Sequence, residues 1–304
     1  MDADRDVSHI AKLTRMRLSS ILLLLPFSPA FAVTSFDVCT EPGDGNVVRA
    51  GYTVFEDASV PPAGADLVRD NWVLDVAAGM GSAWLGGGAY RGTLIDEKEV
   101  GLQTNGYLHS FYFFFQRLRT PASNLRLAAA PALSGSSNVT KDPDEWEADA
   151  WQLNLAAVWR WPASGNDAWR AGLCADHRFG RYRLYPVVAY DWQPHPDWRI
   201  AAGIPDAAVT WQPADAFAAT LAVYPNGNEW FVKNAALTQS SLLEYRAWAI
   251  DLELTWRMTP SLSLAATGGV DVDAEYRAAL ADGERTLLDA GTVARVGIEL
   301  AWTF

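Results

Sequence analysis

Cysteine is nearly missing from this chain: Cys39 and Cys174 are the only two in 304 residues. Two thiols are too few for a disulfide framework or a zinc site. They read first as two unrelated thiols, with a single disulfide as the alternative. Histidine is scarce as well, limited to His9, His109, His177 and His195. No H-E-x-x-H, C-x-x-C or G-x-S-x-G occurs, and Gly86-Gly87-Gly88 lacks the Lys and Ser/Thr of a phosphate loop. The sequence therefore assigns no catalytic residue, no cofactor and no metal. Positive charge is short, with 24 Lys+Arg against 36 Asp+Glu and a net charge of -12. That balance leaves no basic footprint for nucleic acid. No run of 18 apolar residues appears, which excludes a helical membrane span. With 50% hydrophobic and 20% charged residues, the chain is not disordered, collagenous or a coiled coil.

The longest apolar run is ILLLLPFSPAFA from Ile21. It follows Arg15 and Arg17, ends in Ala30-Phe31-Ala32, and is too short and too broken by Pro26 and Pro29 to anchor a membrane protein. A basic start, a short apolar centre and an A-x-A exit describe a secretory signal peptide over residues 1–32. Asp2, Asp4 and Asp6 do not suit such a start, so Met16 is the candidate first residue. Residues 33–46 then form a periplasmic N-terminal segment, and 47–304 the folded body. Cys39 follows Ser35-Phe36-Asp37-Val38, which does not resemble a lipoprotein acylation box.

Beyond Val47 the period is two, the period of a strand. In the last segment Ala294, Val296, Ile298, Leu300, Trp302 and Phe304 share one face, and Arg295, Gly297, Glu299, Ala301 and Thr303 the other. Trp248 to Trp256, Leu262 to Val272, Trp151 to Trp159 and Trp72 to Ala78 repeat the pattern. Either a soluble sandwich or a transmembrane barrel alternates in this way, and three features favour the barrel. Several stretches reach about ten residues, the length of a tilted strand crossing a bilayer. Short Pro-containing turns recur in DWQPHPDWRI, TWQPADAFAA and TWRMTPSLSL, while Ser134–Glu147 and Asp273–Asp289 read as longer polar loops. Short turns on one rim and long loops on the other are the asymmetry of outer-membrane barrels. Trp159, Trp161, Trp169, Trp192, Trp198, Trp211 and Trp256 flank the short turns, where an indole at the membrane–water interface keeps its N–H wet.

The fold expected is all-β, an antiparallel up-and-down transmembrane β-barrel of 14 strands, with 12 as the alternative. The weak points of the count are Gly203-Ile204-Pro205-Asp206 and Pro225-Asn226-Gly227. The polar face names the lumen candidates Asp75, Asn154, Arg160, Arg170, Arg183, Asp191, Asp251, Glu253, Arg295 and Glu299. These charges would be costly in a dry sandwich core. Trp302 and Phe304 form a candidate assembly signal, to be read by the bacterial barrel-assembly machinery. YPVVAYDWQPHPDWRIAAGIPDAAVTWQPADAFAATLAVYPNGNEW, from about Tyr185 to Trp230, resembles an uncharacterised family of bacterial outer-membrane barrels catalogued as a domain of unknown function. The resemblance implies an outer-membrane barrel and carries no functional residue.

The function expected is a passive pore or small-solute channel of the bacterial outer membrane, and not an enzyme. Its partners would be outer-membrane lipid, lipopolysaccharide and an unidentified small solute. A structural or adhesive barrel whose loops bind a partner is the alternative, and a lipid-modifying enzyme the second. His109 and Ser110 are neighbours facing opposite ways, so they cannot form the Ser–His pair a lipid hydrolase needs. Asp142, Asp144, Glu145 and Glu147, and separately Asp271 with Asp273, read as solvated acidic clusters with Ca²⁺ binding as the alternative.

Overall fold

A computed structural model describes residues 37–40, 46–60, 65–80, 83–97, 106–117, 124–233, 240–279 and 285–304. The signal-peptide reading of residues 1–32 lies outside them. The alternating segments, rich in aromatic and branched residues, all become strands. The first half of the wall is β1 (Val47–Phe55), β2 (Ala58–Val60), β3 (Ala65–Gly79), β4 (Trp84–Glu97), β5 (Gly106–Arg117), β6 (Leu125–Ser136) and β7 (Trp151–Pro162). The second half is β8 (Ala168–Asp176), β9 (Arg183–His195), β10 (Trp198–Ile204), β11 (Ala207–Ala214), β12 (Phe217–Lys233), β13 (Ser240–Arg257), β14 (Leu262–Ala279) and β15 (Arg285–Thr303).

Neighbours pair antiparallel, and β1 pairs with both β15 and β3, which closes the ring. β1 and β2 are one wall strand interrupted at Glu56-Asp57, so the barrel has 14 strands. The two weak points resolve simply. β12 pairs with β13 without a break through Pro225-Asn226-Gly227, and β10 turns into β11 at Ile204-Pro205, a cis peptide. Asp273–Asp289 is not one long loop: β14 continues to Ala279 and β15 resumes at Arg285. A bulge with Asp273 at φ 52° lets the strand continue. It places both Val272 and Asp273 outward, and Ala274, Tyr276 and Ala278 then take the inner face. β7 begins at Trp151, after a single 3-10 turn at Ala148–Ala150.

The wall is uneven in height. β8, β10 and β11 span 9, 7 and 8 residues, whereas β12 to β15 span 17 to 19. Above Val223, β12 has no β11 beside it. It leans across the lumen until Phe231 bridges Gly135 of β6 in parallel. The side chains of Gln152 and Ser134 donate to the Glu229 carbonyl at 2.6 and 2.7 Å. A methyl on Gly135 would meet the Phe231 carbonyl at 2.8 Å, so glycine permits the approach. The upper barrel is thereby a narrower ring that bypasses β7 to β11.

That upper ring is filled. Phe55, Leu67, Ile95, Leu108, Trp230, Leu243, Tyr276 and Leu288 come from opposite sides of the ring and form one buried cluster. The outside carries the opposite chemistry. Leu252, Leu300, Val296, Phe113 and Leu173 are 45–68% exposed. Apolar residues recur outward on strand after strand, far beyond the small patches of a soluble surface. A lipid bilayer is the solvent that suits this band, because a closed ring leaves no backbone group unpaired within it. Indoles stand outward along the short-turn rim, with Trp159 on Trp161 and Trp198 against Trp211. Trp72 lies over Gly92, where a Cβ would meet the indole at 2.0 Å.

Candidate functional site

Below the filled ring lies a cavity of about 630 Å³. Its lining runs from Asn166 and Gln193 at the short-turn rim up to Arg178, Asp206 and Asn228 beneath the leaning part of β12. Eight of the ten lumen candidates line it: Asn154, Arg160, Arg170, Asp191, Asp251, Glu253, Arg295 and Glu299. Asp75 also faces inward, between the outward Leu74 and Val76, but is fully buried and held by Arg49 at 3.4 Å across the β1–β3 pair without lining the cavity. Arg183 is not brought to the cavity and lies over the Phe179 ring at 5.9 Å.

The charged groups meet across strands. On one wall Arg160 and Arg170 are directly opposed, and Asp191 holds both, at 3.7 and 2.8 Å. On another, Arg295 of β15 donates to Asp251 of β13 at 3.0 Å, reaching across β14. Gly269 lies between them in register. A Cβ there would come within 2.0 Å of the Asp251 carboxylate, so the glycine leaves room for the pair. Asp251 also accepts from Tyr224. Asp271, fully buried, accepts from Tyr245 and from Asn226 at 3.0 Å, and sits 3.5 Å from Arg295. Asp271 and Asp273 thus point to opposite sides and form no joint cation site. Of the other acidic cluster, Glu145 and Glu147 are engaged by Lys233.

Sequence periodicity carried no sign of the most connected group. Arg178 lies in the β8–β9 turn, where no alternation marks a direction. The turn folds inward because Gly227 leaves space: a Cβ there would sit 2.6 Å from the Arg178 carbonyl. The guanidinium donates to Asp176 at 3.1 Å, Asp37 at 3.3 Å, Asp206 at 3.1 Å and the Tyr185 hydroxyl at 2.8 Å. Burial alone would lower its pKa, but three carboxylates hold it well above the usual value. Asp37 moves upward, since burial outweighs the pull of Arg178. His177, the preceding turn residue, donates from Nδ1 to the Asn154 Oδ1 at 3.2 Å and is pushed down by burial to about 4. It is therefore neutral at pH 7, so its 3.7 Å approach to Glu229 is not an ion pair there.

Asp37 belongs to the segment expected to be periplasmic. Over Asp37–Thr40 that segment is folded into the lumen, with Val38 and Cys39 1% and 3% exposed. They pack with Ala130, Ala156, Val158 and Cys174. Among the described residues, one group of candidate metal ligands converges: Asp37, Cys39 and Asp176. His109 faces outward between Tyr90, Tyr107 and Phe111. Its Nδ1 is 2.7 Å from the Tyr90 hydroxyl and its Nε2 is 2.8 Å from Ser137 Oγ. Ser110, by contrast, is buried against Ser134. Trp302 and Phe304 stand exposed at the short-turn rim with ring centroids 5.1 Å apart.

A closed antiparallel ring with an apolar outside and a charged inside defines a membrane β-barrel with a polar lumen. The chain belongs to the family described as Domain of unknown function (DUF6268), whose profile matches residues 122–280. No curated protein matches it. Among solved structures it is similar to an outer-membrane channel from Pseudomonas putida F1, at 10% identity and TM-score 0.46, covering 90% of this chain and 100% of that one. It is also similar to the toluene transporter TodX of Pseudomonas putida, at 11% identity and TM-score 0.41, covering 87% and 91%. The NanC porin is a third likeness, at 10% identity and TM-score 0.39, covering 86% and 100%.

Proposed function

We propose that this protein is a bacterial outer-membrane channel for small polar solutes, exported by its N-terminal signal and closed at its long-loop end in this conformation. The observation behind this reading is the charged chamber itself, enclosed by a wall that is apolar outside and capped by the apolar cluster. Its volume would hold roughly twenty waters at about 30 Å³ each, or one solute the size of a sugar. Arginines and carboxylates line it in nearly equal numbers, so the chamber favours neither sign of ion. The cap is built around a charge. Arg69 is 4% exposed and stacks on Phe55 at 4.3 Å and Tyr245 at 3.8 Å. Its Nε and Nη1 find no acceptor among the described residues. The remaining contacts of the guanidinium are with aromatic rings and neighbouring side chains of the cap, so the cap is held around a cation.

Planar-bilayer recording tests this. Wild-type protein should conduct rarely, and Trp230→Ala, alone or with Leu243→Ala, should raise the mean conductance at least tenfold without cation or anion preference. Folding of each variant is read from its heat-dependent mobility on gels. A folded double variant that stays silent would mean the chamber is a blind pocket, and the structural reading would replace the channel.

A second reading, lipid hydrolysis, rests on the Tyr90–His109–Ser137 chain on the outer face. A serine, an imidazole and an orienting hydroxyl within hydrogen-bond reach are the arrangement of an activated nucleophile. Labelling by a fluorophosphonate probe that disappears in Ser137→Ala would raise this reading above the channel; absence of label retires it.

A further inference from the structure

Cys39 and Cys174 lie 135 positions apart, yet the structure seats them together. Cys39 is in the segment folded into the lumen, and Cys174 is near the long-loop end of β8. Each is almost fully buried, at 3% and 1% exposure, and both belong to the same packed cluster. Cys39 Sγ lies within 4.8 Å of a carboxylate oxygen of Asp176, which is two residues along β8 from Cys174 and on the same inner face. Cys39 Sγ is also 3.9 Å from the Leu155 carbonyl, and Leu155 pairs with Ala175, the neighbour of Cys174. Both thiols are free in the structure, as the two-thiol reading expected, but they share one packed cluster.

We propose that Cys39 and Cys174 form a disulfide that fastens the N-terminal segment inside the barrel. This rests on the export reading, because disulfides persist in oxidising compartments and are rare in the cytosol. The oxidant is a protein disulfide oxidoreductase of the exported space, carrying a reactive disulfide of its own. Cys39 thiolate attacks one sulfur of that disulfide and forms a mixed disulfide, expelling the second oxidoreductase thiol. Cys174 thiolate then attacks the Cys39 sulfur, and the oxidoreductase leaves as a dithiol. Two thiols of this chain lose two electrons and two protons, and one disulfide of the partner is reduced. The exchange must precede barrel closure. Once the wall is complete, neither sulfur is accessible, and burial pushes the Cys39 thiol far above its ordinary range, so no thiolate remains to react.

The neighbouring groups favour this over a metal ion. Asp37 and Asp176 bring ligand atoms near Cys39, but both carboxylates already accept from Arg178. A divalent cation would have to share the site with that guanidinium. The disulfide needs neither carboxylate, and it leaves the Arg178 cluster in place above it. Its effect would be to hold Asp37–Thr40 against the wall, so that this side of the lumen stays narrowed whenever the apolar cap moves.

The test is alkylation of protein purified from outer membranes, denatured and treated with iodoacetamide before and after reduction, then weighed by mass spectrometry. The expected result is no added group before reduction and two after it. Cys39→Ser and Cys174→Ser should each take up one group without reduction, which shows that the assay sees both positions. Two groups on unreduced wild-type protein, with or without bound zinc by elemental analysis, would overturn the proposal and leave export intact. Recovery of the chain in the cytosolic fraction would instead overturn the export reading, and the disulfide with it.

Discussion

Asp271→Ala should destabilise the barrel by about 3–5 kcal/mol, the range for removing one partner from a buried charge pair. Asp271 is fully buried and receives Tyr245, Asn226 and Arg295 at once. Its loss would leave the Arg295 charge answered by Asp251 alone. It would also strip Tyr245 of the acceptor that orients its ring over Arg69. Two hydrogen bonds and one ion pair would fail together, and a methyl group offers no substitute for any of them. Urea titration followed by loss of the compact gel band measures the cost. Asp273→Asn is the control, because Asp273 is exposed two residues away and asparagine tolerates its left-handed backbone at φ 52°, so the change should stay within about 0.5 kcal/mol. Equal midpoints for the two variants would show that the buried network contributes nothing.

Leu252→Arg should cost about 2–4 kcal/mol, the range for an arginine near the middle of the lipid face of a barrel. Leu252 is 48% exposed on β13, five residues from the short-turn end of the strand. Its side chain points out where Asp251 and Glu253 point in. The penalty arises from lipid, so it should appear when the protein folds into vesicles and shrink in a detergent micelle that deforms around the charge. Refolding equilibria in vesicles measure it directly. A variant that folds into vesicles as stably as wild type would mean that Leu252 faces water, and the membrane reading would fall with it.

Much of the wall was legible because alternation is a local property. Residues 294 to 304 declare two faces without reference to any other strand, and the structure turns Leu300 and Trp302 out while Arg295 and Glu299 turn in. The start at Val47 and the strands over Trp151–Trp159 and Trp248–Trp256 follow from the same pattern. Boundaries failed where height was decided by a distant partner. β14 runs past Asp273 because β13 and β15 rise beside it, and the polar composition of that stretch gave no sign of this. The pairing of Arg295 with Asp251 across Gly269 was not legible either, since it depends on which three strands are neighbours and in what register.

The segments that leave the alternating pattern were the least legible. Arg178, Asp206 and Asp37 lie in turns and in the N-terminal segment, so no period points them inward. Asp37–Thr40 enters the lumen because Val38 and Cys39 find an alanine-lined wall there, and because Asp37 meets Arg178. The same holds for Ser137, whose meeting with His109 needs the β6–β7 connection to fold back over β5.

The sequence alone determined a two-faced strand repeated twelve or fourteen times, its aromatic rim and its even count, because side-chain direction along a strand depends only on parity. The tertiary structure decided whether the cylinder is hollow. The leaning of β12 onto β6, the apolar filling above it, the charged chamber below and the meeting of Cys39 with Cys174 are all contacts across the lumen. Parity tells a residue to face inward but not what it will meet there, and that depends on strand heights and register summed around the whole ring.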